Sequence, residues 1–366
     1  MKKFDPKIIA YYLPQFHPMP ENDEWWGKGF TEWTNVGKAK PLYRGHDQPK
    51  VPADLGYYDL RIPEIRSKQA ELAKEAGVYG FCYWHYWFGN GRQLLNGIID
   101  EVIASGEPDF PFCFGWANES WKSKLWQKDA TKDKLLMEQV YGGENDYKEH
   151  FEYALKAFTD KRYILVEGKP LFLIFQPQHI PDDFIDSWNN LAKNAGFENG
   201  LHFIARLTHE TDINIVRQKG FEYFTSERWQ AGYRFGTNFY KVWIRLKSRA
   251  LRNMKSAVLD YEKSIPYFTN EKEDSQENYY PALIPNWDHS PRSGRRAIVL
   301  TKALPKYFYL HAIKVLNIIK KKNNQIVFLK SWNEWGEGNY MEPDLKHGKG
   351  HINALAKAIK DVGEQK

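Results

Sequence analysis

Cysteine is nearly missing from this chain: Cys82 and Cys113 are the only two among 366 residues. Two cysteines exclude a disulfide framework and a four-cysteine zinc site. Both sit in apolar runs that read as strands, so they are expected to be reduced core thiols. Long apolar runs are missing as well. No stretch approaches the roughly 20 residues that span a bilayer. The N-terminal MKKFDPKIIAYYLPQF (1–16) is broken by Asp5 and Pro6 and does not read as a secretory signal. The expected location is cytoplasmic, with a peripheral place at the inner membrane as an option. No G-x-G-x-x-G follows a strand, and there is no P-loop, Ser nucleophile elbow, H-E-x-x-H or EF-hand pattern. Asp-x-Asp, a metal–diphosphate motif of many sugar transferases, is absent too. No cofactor and no metal are therefore expected. The net charge of +6 is mild and dispersed, which gives no reason to expect nucleic acid.

Aromatic residues, by contrast, make up 16% of the chain, with 14 Trp, 22 Tyr and 22 Phe. The chain also alternates short apolar runs with helical patterns. The runs are KIIAYYL (7–13), VYGFCYW (78–84), FPFCFGW (110–116), PLFLIF (170–175), LHFIARL (201–207), FEYFTS (221–226), PALIPNW (281–287) and IVFLKSW (326–332). Helical patterns fall between them, including 61–77, 93–106, 146–159, 182–196, 209–219, a long basic one over 238–262, 301–322 and, after the last run, 351–359. Continuous apolar runs mark parallel strands buried on both faces. Eight such units predict a single (β/α)8 TIM barrel over residues 1–366, with an elongated basic helix inserted near 231–280.

Barrels of this kind carry their active sites where the strands end at their C-terminal side. The residues there are Gln15 and His17, then His85, Tyr86 and Trp87, then Trp116, Asn118, Glu119 and Trp121. Gln176 and Gln178, Arg206 and His209, and Glu227, Arg228 and Trp229 follow, then Asp288 and His289, and finally Asn333, Glu334 and Glu337. Polar loops are ordinary, but Trp beside acids at several exits is not. Aromatic faces stack on the C–H faces of sugars while carboxylates and amides take the hydroxyls, so a carbohydrate cleft is expected. Candidate substrate contacts are Tyr11, Gln15, His17, Glu32, Trp84, His85, Tyr86, Trp116, Asn118, Glu119, Glu227, Trp287, Asp288, Asn333 and Trp335.

The densest stretch is SWNEWGEGNYMEP (331–343), where Glu334 and Glu337 stand three residues apart with Gly336 and Gly338 beside them. Acids at this spacing share one side of a turn. They suit a helix-start charge cluster, a Ca²⁺ site, or an acid/base pair in which one carboxyl is pushed up and the other stays charged. The basic segment KVWIRLKSRALRNMK (241–255) contains no acid. It suits a solvated helix, or contact with an anionic membrane surface or lipid-linked glycan.

The stretch YYLPQFHPMPENDEWWGKGFTEWTNVGKAKPLYRGHDQPKVPADLGYYDL (11–60) resembles the N-terminal signature of the WbsX family of bacterial surface-polysaccharide gene clusters. YGFCYWHYWF (79–88), FCFGWANESW (112–121) and SWNEWGEGNYMEP match its later blocks, so the resemblance covers nearly the whole chain. The family is labelled a glycosyltransferase, while its barrel is similar to that of the retaining endo-mannosidases and endo-mannanases of glycoside hydrolase family 99. That resemblance implies an oligo- or polysaccharide substrate. It further implies that Glu334 acts as base on a sugar 2-hydroxyl, giving a 1,2-anhydro sugar, and that Glu337 is the acid/base. Glu337 is therefore expected to be the acid with the raised pKa. A transferase of O-antigen, capsule or lipopolysaccharide assembly and a non-catalytic glycan-binding barrel are the alternatives.

Overall fold

The computed structural model describes residues 3–123, 134–209, 212–230, 238–250 and 257–365. The chain falls into two compact units, the first formed by Met1–Tyr79, Glu227–Glu277 and Pro281–Lys366, the second by Gly80–Ser226 and Asn278–Tyr280. Eight parallel strands carry the architecture: β1 (Lys7–Tyr12), β2 (Gly80–Trp87), β3 (Phe112–Trp116), β4 (Lys169–Ile174), β5 (His202–Arg206), β6 (Tyr223–Ser226), β7 (Tyr279–Leu283) and β8 (Ile326–Leu329). The helices between and after the strands include α1 (Pro63–Ala76), α2 (Gly97–Ser105), α3 (Glu144–Phe158), α4 (Phe184–Asn194), α5 (Ile213–Gln218), α6 (Asn238–Ala250), α7 (Pro305–Ile319) and α8 (Gly350–Glu364). The fold is a (β/α)8 barrel, as the alternation of buried runs and helices predicts.

In the first unit β8 pairs in parallel with β1 and with β7, in register Ile8↔Val327 and Ala282↔Phe328. Every residue of β8 is buried, which is why its sequence is continuously apolar rather than alternating. α1 begins on Pro63, whose missing N–H costs nothing at a helix start. It stops at Gly77, held at φ 80°, where an added Cβ would also meet Ile359 Cδ1 at 2.5 Å. In the second unit β2, β3, β4, β5 and β6 pair in sequence order, all parallel.

Two local expectations change. Residues 93–106 do not form one helix: Gln93 and Leu94 pair antiparallel with Trp87 and Tyr86, and α2 starts at Gly97. The predicted basic helix over 238–262 is also shorter. Within the described residues α6 spans Asn238–Ala250, and Val258–Asp260 is a strand parallel to Val299–Thr301. The physical reason is burial: Val258 and Leu259 are fully enclosed and Asp260 nearly so, which suits an apolar strand better than a solvated helix. The remainder of the basic segment, 251–255, lies outside the described residues. No described helix is long and apolar enough to cross a membrane.

Candidate active site

The polypeptide leaves β8 and folds into a small antiparallel hairpin, Asn333–Glu334 with Asn339–Tyr340, closed by a single tight turn over Trp335–Glu337. Gly338 completes the turn at φ 53°, and a Cβ there would lie 2.7 Å from the Asp288 Cβ. The hairpin is tied down from several sides. Asn333 accepts from the Leu13 N–H (2.7 Å) and donates to the Leu13 carbonyl (3.0 Å). Trp335 stacks on Tyr340 at 3.8 Å and donates through Nε1 to Glu342 (2.6 Å). Glu342 also accepts from Tyr58 and Gln69, and burial raises it to about 7 even against these donors. Asn333 and Trp335 therefore hold the loop in place through their polar atoms.

Glu334 is 6% exposed. Glu337 stands beside it within hydrogen-bonding reach. Arg292 supplies the decisive contact. Its Nη1 donates to Glu337 (2.8 Å) while its Nε and Nη2 hold Glu32 (3.1 and 3.0 Å). Glu32 opens a short helix, Glu32–Gly37, capped by the Thr31 hydroxyl. His289 Nε2 lies 3.6 Å from Glu337, and Lys330 Nζ lies 3.8 Å from Glu227. Lys330 also sits 5.2 Å from the Trp287 ring and 6.0 Å from the Tyr11 ring. Gly336 makes the packing possible, since a Cβ would fall 2.1 Å from Glu32 Oε2 and 2.9 Å from Arg292 Nε.

These surroundings split the two acids. Burial, then the charge of Glu337, raises Glu334 to about 8. Burial alone would raise Glu337 too, but Arg292, His289 and Lys330 outweigh it and hold Glu337 far below the usual carboxylate range. The order is the reverse of the expectation that Glu337 carries the raised pKa. The cause is Arg292, which pairs with Glu337, and which the sequence did not single out. Lys330 escaped notice too, although a lysine inside the apolar run IVFLKSW is a usable signal, since buried Lys is nearly always paired. Arg292 had only its place four residues beyond Asp288 to recommend it.

The split has a thermodynamic consequence. Folded Glu334 keeps its proton up to about pH 8, while an unfolded Glu releases it near about 4.3. The folded state therefore binds more protons across that window, and stability falls as pH rises, by at most about 1.4 kcal/mol per pH unit for this group. Glu342, raised to about 7, adds in the same direction. Urea unfolding between about pH 5 and 8 should show a shallower slope in Glu334→Gln than in the wild type. Equal slopes would contradict the assignment.

The other candidates lie as follows. Tyr11 is fully buried and stacks on Phe328 at 5.3 Å. Gln15 accepts from the Glu32 N–H through its carbonyl (3.4 Å) and donates to Asn22 through its side chain (3.4 Å). His17 is nearly buried, and desolvation lowers its pKa. Trp287 stacks on Trp229 at 3.8 Å. Asp288 is buried; its Oδ2 accepts from Gln48 (2.7 Å) and pairs with His46 (2.8 Å), and its N–H donates to the Glu337 carbonyl (2.8 Å). Asp288 thus orients the turn that carries Glu337.

In the second unit the strand period of two separates the candidates. His85 stacks on Phe114 and lies 2.8 Å from His150 of α3, with its pKa lowered to about 3 by burial. Trp116 likewise packs on His150 and Phe184 and donates to the Trp87 carbonyl (2.9 Å). Both side chains fill the sheet–helix layer. Trp84 and Tyr86 point to the opposite face of β2, with Trp84 against Phe175 and Tyr86 against Trp121. Asn118 bridges Tyr141 and the Gln176 backbone, and exposed Glu119 accepts from Gln176 (3.3 Å). Among the described residues no cluster of His, Cys, Asp or Glu is arranged to hold a metal ion.

Two Xanthomonas campestris pv. campestris proteins named WxcX are 33% and 32% identical over 361 residues, 96% of this chain. The chain spans about half the length of these curated relatives, 49% of each. A solved family 99 endo-alpha-mannosidase from Bacteroides thetaiotaomicron, in complex with bis-tris-propane, aligns over 99% of this chain and 98% of its own. Its TM-score is 0.57 at 15% identity. A solved glycoside hydrolase-like protein aligns over 98% and 96% with a TM-score of 0.63 at 12% identity. At such identities the likeness is one of fold. Residues 8–355 match the family described as Glycosyltransferase WbsX, and the chain therefore belongs to this family.

Proposed function

We propose that the chain acts at a glycosidic bond with retention, on a bacterial surface polysaccharide or its precursor. One observation carries the reading. Glu334 and Glu337 are enclosed side by side within hydrogen-bonding reach, and Arg292 pairs with Glu337, which favours the proton on Glu334. Glycosidic cleavage needs one carboxyl to donate a proton and another to accept one. Two carboxyls within hydrogen-bonding reach leave no room for a sugar ring between them, so both work from one side. The arrangement suits attack by the sugar's own 2-hydroxyl. Glu334 takes the hydroxyl proton, O2 bonds to the anomeric carbon, and the bond to the leaving oxygen breaks as Glu337 protonates that oxygen. Water or another sugar, deprotonated by Glu337, then bonds to the anomeric carbon as its bond to O2 breaks and Glu334 returns the proton to O2. The two inversions amount to retention. Moving the shared proton from Glu334 to Glu337 arms both residues at once, and it requires Arg292 to loosen its hold. Trp287, in the same unit as the glutamate pair, is the aromatic face proposed for sugar contact.

The family's description favours a second reading, transfer from an activated donor, with water replaced by an acceptor hydroxyl. The test is incubation with alpha-mannans and with bacterial surface polysaccharides, with the first-formed anomer read by NMR. Retained reducing ends are expected. An inverted product, or reaction seen only when a nucleotide sugar is supplied, would overturn the hydrolytic reading.

A further inference from the structure

α6 turns one side inward and leaves apolar side chains exposed on the other. Ile244, fully buried, lies in a small core with Leu259, Tyr261, Phe268 and Trp287. Ser248, nearly buried, accepts from the Val258 N–H (3.2 Å). At 100° per residue, Val242, Leu246 and Ala250 fall in one line on the opposite side. Val242 is 51% and Leu246 59% exposed. Exposed Arg245 and Arg249 flank this line on one side. Trp243 flanks it on the other, with the Lys247 and Lys263 ammonium groups each 5.0 Å from its ring. The helix NFYKVWIRLKSRA contains four basic residues and no acid.

We propose that this face of α6 docks on an anionic phospholipid surface. An apolar line with cationic margins and a Trp at its edge is the pattern of a helix lying in the headgroup layer. Leu246 and Val242 enter the acyl boundary, and Arg245 and Arg249 meet lipid phosphates. Charge selects this occupant. A second copy would bring an identical cationic face against it and be repelled, whereas anionic headgroups neutralise it. The helix rests through Ile244 on the same core as Trp287, whose ring adjoins Lys330. Docking would therefore hold the glutamate pair at a fixed place beside the lipid surface.

The test is co-sedimentation of the 366-residue chain with vesicles of equal parts phosphatidylcholine and phosphatidylglycerol, against pure phosphatidylcholine. Binding to the anionic vesicles alone is expected, falling as salt rises. Arg245→Ser with Arg249→Ser should weaken it about 30-fold, at roughly a fivefold loss per cation. Leu246→Ser should weaken it about tenfold with no change in charge. All three positions are exposed, and an unchanged circular dichroism spectrum verifies the fold. No binding to anionic vesicles overturns the proposal. So does binding that Leu246→Ser leaves intact and that heparin abolishes, since that is adsorption of any polyanion. The assay does not depend on catalysis, so its outcome is independent of the proposed function.

Discussion

Glu337→Gln is expected to lower turnover about a thousandfold, within the range for loss of a general acid–base group, while leaving KM and the folded structure nearly unchanged. The amide keeps the shape of the carboxyl, and its oxygen still accepts from Arg292 Nη1, which lies 2.8 Å from Glu337. What it cannot do is carry a proton to a leaving oxygen. A substrate with a good leaving group, such as a glycosyl fluoride, needs no protonation. It should recover most of the lost rate of the first step, read as an initial burst of fluoride, with Glu337→Gln, while the second step still lacks its base. With Glu334→Gln it should not, because the 2-hydroxyl would still lack its base. The variant also removes a charge that helps to raise Glu334. The pKa of Glu334 should then fall toward the ordinary carboxylate range, and the pH–rate profile of the residual activity should move with it. Turnover of both substrates at the wild-type rate in Glu337→Gln would remove this residue from the chemistry.

Arg292→Leu should cost about 3 kcal/mol of stability, because it strips the cation from a group of enclosed carboxyls. Arg292 holds Glu32 on one edge of its guanidinium and Glu337 on the other. Without it, Glu32 and Glu337 lose the cation they share, with Lys330 as a remaining cation near the glutamate pair. The loss should depend on pH with a defined sign. Glu337 is depressed in the folded protein, so its contribution is present above the unfolded carboxylate value and is lost as pH falls. The difference between wild type and variant should therefore be largest near neutral pH and shrink below about pH 4. Urea unfolding at a series of pH values measures it. Arg292→Lys, which keeps the charge but not the fork, should fall between the two. Glu32→Gln combined with Arg292→Leu should recover part of the loss, as coupled neighbours do. A loss that is the same at every pH would mean that Arg292 matters for packing alone.

The barrel was legible because burial on both faces writes a parallel strand as an unbroken apolar run, and eight such runs survive in the sequence. The glutamate pair in 331–343 stood out as two acids on one side of a turn beside Gly336 and Gly338, but the antiparallel hairpin that carries it, Asn333–Glu334 with Asn339–Tyr340, was not legible. The inward and outward faces were harder to read. His85 and Trp116 lie near strand exits in sequence, yet their side chains turn into the layer against α3. In a strand that is apolar on both faces, hydrophobicity no longer reports which way a residue points. The helix predicted across Val258–Asp260 failed for a related reason. A basic neighbourhood suggested a solvated surface, but the pairing partner Val299–Thr301 lies some forty residues away and leaves no local trace.

By itself, the sequence determined the alternation of elements, the position of the glutamate pair and the absence of familiar cofactor motifs. Each of these depends on residues near one another in the chain. Only the tertiary structure decided which glutamate holds the proton. That choice rests on Arg292, 45 residues before Glu337, and on Glu32, 260 residues before Arg292. Charges act through space across a few ångströms, and folding rather than sequence spacing sets those distances.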